Sequence, residues 1–168
     1  MKKMLTSIMQ ICLLGCLIVA AVSVATPDAT AYAATPEQGN IRLENLLMRE
    51  QIVLNNQQQR LDLSNQVVTA AQTWIAHLQD QSKDVAALQD ALAAFQAGIS
   101  QAQTSFNTAQ STLSAHNGFD ANGKVTDNVQ ALKTLTQAGQ AERQFHLTIT
   151  QATIDFRQAV QQYRQANQ

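Results

Sequence analysis

The chain has 168 residues, 45% of them hydrophobic and only 14% charged, with a formal net charge of −1. That balance supplies no basic patch, and so argues against nucleic acid or an anionic membrane surface as a partner. Its two cysteines, Cys12 and Cys16, both lie near the start.

The first 33 residues read as a secretory signal. Lys2 and Lys3 form a positive head, residues 8–25 are apolar apart from Gln10 and Ser23, and the small residues ATAYAA follow Pro27 and Asp28. Cleavage is expected after Ala33. The stretch LLGC at 13–16 resembles a lipoprotein processing site. However, Cys16 lies inside the apolar run and Leu14 is bulky where a small residue is needed, which speaks against lipidation. An uncleaved anchor is the alternative, since about 18 apolar residues are just enough to span a bilayer.

Removing 33 of the 168 residues leaves 135, enough for one domain with its own core. This portion has no cysteine, nine basic and eleven acidic side chains, and 24 glutamines. An exported domain without disulfides is held by packing alone. Glutamine at helical spacing wets a helix surface without strong charge.

From Pro36 onward no segment alternates like a strand, and the spacing of three and four that marks helices recurs throughout. Thr35, Pro36 and Gln38 form a helix start, with Thr as the cap and Pro at the first helical position. Leu47, Leu54, Leu61, Val68 and Ile75 then recur every seven residues, flanked by Leu46, Val53, Val67 and Trp74. Six polar residues at 79–84 end this stripe. A second stripe runs without a miss through Val85, Leu88, Leu92, Phe95, Ile99, Ala102, Phe106, Ala109 and Leu113, and ends at Asn117-Gly118, either of which suits a left-handed cap. After the loop GFDANGKV, Thr126-Asp127 caps a third stripe, through Leu132, Leu135, Ala138, Phe145, Ile149, Ala152, Phe156, Ala159 and Tyr163.

These spans predict an all-α fold, an antiparallel up-down-up three-helix bundle with helices at about 36–80, 83–116 and 126–166 and a loop at 117–125. The alternative is a long helical hairpin or coiled coil with one helix of about 80 residues, because 79–84 holds neither Gly nor Pro.

Chemistry-bearing residues are sparse. His77, His116 and His146 fall at different heights of such a bundle and cannot share a metal. Glu142 and His146 are four apart, whereas di-iron bundles use Glu-x-x-His from two helices with further glutamates. The loop echoes a calcium loop through Asp120, Asn122 and Gly123, but Gly118 and Val129 stand where its first and twelfth ligands belong. No nucleophile elbow, phosphate loop or C-x-x-C motif is present in the sequence. No catalytic, cofactor-binding or metal residue is therefore assigned, and no cofactor. Arg60 and Glu142 each stand where an apolar residue was due. Counting helix rise places them at one level, beside Ala102, which suggests a buried ion pair.

The expected function is that of an exported, non-enzymatic helical bundle. Its role would be binding or structural, through its helix surfaces or the 117–126 loop, with an unknown protein partner or by self-association. It would use no nucleic acid, and no membrane after signal cleavage. The alternative is a membrane-anchored or self-associating coiled-coil spacer.

Overall fold

A computed structural model of the protein describes residues 36–167; the signal segment expected over 1–33 and the cap at Thr35 lie outside the described residues. Three helices form an antiparallel up-down-up bundle: α1 (Pro36–Asp80), α2 (Ala86–Ser114) and α3 (Asn128–Ala166). At about 1.5 Å per residue α1 is roughly 68 Å long. Among the described residues no helix is long and apolar enough to cross a membrane.

The break after α1 forms without Gly or Pro. Ser82 takes a left-handed backbone (φ 57°), and its amide and that of Lys83 return to the carbonyls of Gln79 and Leu78 at 2.8 and 3.1 Å. Asp84 accepts a bond from the Ala86 amide at the start of α2. The chain therefore turns, and the single 80-residue helix is excluded. At the far end of α2 the left-handed position falls to His116 (φ 51°), one residue before the expected Asn117 or Gly118. Gly118 is also left-handed (φ 87°), and a side chain there would run into the backbone of Asp127 and Ala131. Asp127 caps α3, its carboxylate accepting from the amides of Val129 and Gln130 at 2.9 and 3.0 Å.

All nine positions of the second stripe, Val85 through Leu113, are buried. On α3 the buried face is Ala131, Leu135, Ala138, Phe145, Ile149 and Phe156; Leu132, expected inside, points out, because Ala131 takes the place against the loop. Phe95 and Phe156 stack at 5.1 Å between α2 and α3. These two helices approach closely at Gly98, where a Cβ would stand 2.5 Å from that of Ala152. Phe95, Phe106, Phe145 and Phe156 are thus core side chains, each contributing roughly 2–3 kcal/mol by burial.

The core is divided in two. A small cluster of Leu47, Leu113, Phe119, Ala131, Leu135 and Ala138 lies at the loop end. The main cluster begins at Leu61, Phe106 and Phe145 and runs to the other end. There, edge-on contact of Trp74 with Tyr163 (5.8 Å) and Arg164 over the Trp74 ring join α1 to α3.

Candidate functional site

Polar side chains from α1 and α3 occupy the gap between the two apolar clusters. On α1 the inward spacing Leu47, Glu50, Leu54, Gln57, Leu61 alternates steps of three and four, so Glu50 and Gln57 share the core face with the leucines. On α3 Glu142 stands between Ala138 and Phe145. On α2 the position between Phe106 and Leu113 is Ala109, a fully buried small side chain that leaves room.

Gln57 and Glu142 are each only 5% exposed. The Gln57 amide donates to the main-chain carbonyl of Glu142 at 3.2 Å. The Glu142 carboxyl lies within hydrogen-bond reach of Glu50, and burial and then that neighbour push it up to about 9. Burial favours its neutral form, which can donate a hydrogen bond to Glu50. The second oxygen of Glu142, Oε1, and Gln57 Oε1 are both buried without a partner.

The expected ion pair between Arg60 and Glu142 does not form. The Arg60 guanidinium contacts His146 Nδ1 at 3.0 Å and donates to Thr150 at 3.3 Å, about one and two turns beyond Glu142. Because arginine has only protons to give, His146 Nδ1 must be the acceptor, so its imidazole is neutral with the proton on Nε2. Burial and then the Arg60 charge hold His146 below its ordinary range. Across α1 and α3 it is Gln57, not Arg60, that stands beside Glu142. Between α2 and α3, Gly98 faces Ala152 and Phe95 faces Phe156, which puts Ala109, not Ala102, at the level of Glu142.

The three histidines stay apart. His77 lies in the last turn of α1 beside Gln81, His116 follows α2 at the opposite end, and His146 is half-way along α3. No group of three or more His, Cys, Asp or Glu side chains suited to a metal gathers among the described residues.

The 115–127 loop is tied internally. Asp120 Oδ1 accepts from the amides of Asn122 and Lys124, both at 2.8 Å, so this carboxylate shapes the turn. Glu44 of α1 accepts from Lys124 Nζ at 2.7 Å and from the Val125 amide at 3.2 Å. The Lys124 bond holds the Glu44 carboxyl below its usual range. Phe119 pairs with Val125 in a single antiparallel bridge and buries its ring under the loop.

Nothing among known protein families, curated proteins or solved structures matches this chain.

Glu50 and Gln57 do not stand out in the sequence as Arg60 does, which interrupts an apolar flank. The signal that finds them is the three-four seam of α1, in which two of five inward positions are polar.

Proposed function

We propose that the chain is an exported, non-enzymatic helical bundle that binds a protein partner through the outer faces of α1 and α3. One observation carries this reading: both faces expose apolar side chains in register. On α1 these are Ile41, Met48, Ile52 and Leu63, at steps of seven, four and eleven, with Ile52 61% exposed. On α3 they are Val129, Leu132, Leu147 and Ile154, with Val129 77% exposed. Both rows lie opposite the core stripe of their own helix. Single exposed apolar residues are ordinary, but rows at helical spacing are the pattern by which helices dock. The loop is the weaker candidate, because Asp120 and Glu44 already satisfy its backbone. Export rests on the signal pattern of residues 1–33.

The test is capture from the native envelope or culture medium with the wild-type chain and with Met48→Glu/Ile52→Glu. A partner retained by the first and lost by the second supports the reading. Light scattering after size exclusion examines the spacer alternative: an elongated dimer that the same substitutions dissolve favours self-association.

A further inference from the structure

We propose that the Glu50–Glu142 pair is a proton-operated latch: one proton held between the two carboxyl groups keeps the middle of α1 against the α2–α3 hairpin, and its loss releases that part of α1.

The geometry confines the two groups. Glu142 is buried between the two core clusters, under Ala109 of α2, and the Gln57 amide fixes α1 at this height. A neutral carboxyl can leave one oxygen unpaired at modest cost, whereas a carboxylate would leave a buried charge there, with its Oε1 unpartnered and only the Glu50 carboxyl group beside it. Among the described residues no ion pair to it is found. From α1 the facing groups are Glu50 and, about three turns further on, Arg60, whose guanidinium is taken by His146 and Thr150. Arg49 of α1 and Arg143 of α3 are exposed, as is His146. Along all of α2 the sole titratable side chain is Asp90, 19 residues from Ala109. In the loop Lys124 is held by Glu44. The influences on the Glu142 carboxyl are accordingly burial and Glu50, both of which favour its protonated form.

The sign follows. Glu142 keeps its proton to about pH 9 when α1 is docked and loses it near the ordinary carboxyl value of 4.5 when α1 is released. Between these limits each pH unit multiplies the release constant by up to about ten. The effect falls on α1 because α2 and α3 are joined independently by the Phe95–Phe156 stack and the Gly98–Ala152 contact.

The test uses the full chain and two readouts. Carboxyl-carbon NMR of glutamate-labelled protein is expected to show one glutamate titrating above pH 8, absent from Glu142→Gln. Amide exchange at matched pH, taken as the ratio of wild type to Glu142→Gln so that base catalysis cancels, is expected to rise with pH between 6 and 9 in peptides spanning 47–61 and to stay flat in α2. A flat ratio in 47–61 would overturn the proposal. So would an equal rise in all three helices, which would mean global unfolding, or a titration that calcium chloride or EDTA displaces, which would assign the pair to a metal ion. If Glu142→Gln does not fold, the wild-type titration alone decides: every glutamate titrating near 4.5 refutes the latch.

Discussion

Gly98 and Gly139 are both inside helices, yet adding one methyl to each should change stability in opposite directions. Alanine for glycine in a helix interior gains about 1 kcal/mol in propensity. At Gly139 a Cβ meets nothing within 4 Å. Gly139→Ala should therefore keep the full gain of about 1 kcal/mol and raise the thermal midpoint by roughly 3–5 °C for a domain of this size. At Gly98 the new carbon stands 2.5 Å from Ala152 Cβ. Ordinary carbon contacts need about 3.5–4.0 Å, and neither Cβ has a rotamer by which to move away, so the helices must part by about 1 Å or more. One turn along, Phe95 and Phe156 are stacked at 5.1 Å and would be pulled apart with them. Overpacking of this kind costs about 1–3 kcal/mol, leaving Gly98→Ala a net loss of up to about 2 kcal/mol. Adding Ala152→Gly to Gly98→Ala restores the space, so the pair should show clear coupling in a double-mutant cycle measured by urea denaturation. A Gly98→Ala variant as stabilised as Gly139→Ala would refute the close approach of α2 and α3.

Three further outcomes are expected. Arg60→Met should lose its contacts to His146 and Thr150 and destabilise by about 1–2 kcal/mol; NMR titration should find the His146 pKa raised, since a neighbouring positive charge has been removed. Glu44 holds the Val125 amide with a carboxyl whose pKa is lowered, so the bond is fully present above the ordinary carboxyl value and is lost as pH falls through the lower folded value; Val125 protection from exchange should therefore fall in acid, and Glu44→Gln should abolish that pH dependence. N-terminal sequencing of the exported protein should begin at Ala34; a Met1 terminus or a lipid on Cys16 would show that the apolar segment is an anchor.

The stripes made the bundle legible because burial imposes its period on the sequence: a helix against a hairpin must place an apolar residue every three or four positions. The stripe from Val85 to Leu113 could be read without error for that reason. Turns were less legible. Ser82 and His116 adopt left-handed backbone that favours glycine, and the surrounding helices impose it on residues with no such preference. Leu132 was misplaced by a similar competition, since Ala131 fits the tight space under the loop. The polar layer was half legible. Glu142 interrupts an apolar period and so announces itself, but its partner does not. Arg60 is the obvious counter-charge by sequence, whereas the partner chosen by the packing is another carboxylate. Register between helices depends on how many residues the turn at 81–85 and the 115–127 loop consume, and neither period nor composition encodes that number.

That register needs a specific device, because a heptad seam is nearly degenerate. Sliding α1 by seven residues would bring Leu54 to the level of Leu61, or Leu61 to that of Leu54, and leave the apolar contacts much as they were. Between α2 and α3 a seven-residue slip would bring Ala91 or Ser105 opposite Ala152, and each carries the Cβ for which the close approach at Gly98 leaves no space. Along α1 the glycine, Gly39, meets nothing within 4 Å, and the polar layer takes over the task. Gln57 donates an N–H to the main-chain carbonyl of Glu142. After a slip in one direction the side chain at that place would be Glu50, whose carboxylate would confront the carbonyl oxygen. In the other direction it would be Ser64, which is too short to reach. The layer leaves buried oxygens of Gln57 and Glu142 unpaired, and so adds less stability than leucines would. Its effect is to raise the energy of the slipped arrangements more than that of the native one. The same Glu142 that fixes the register thereby becomes sensitive to its proton, because the carboxyl is tolerated in the core only while neutral.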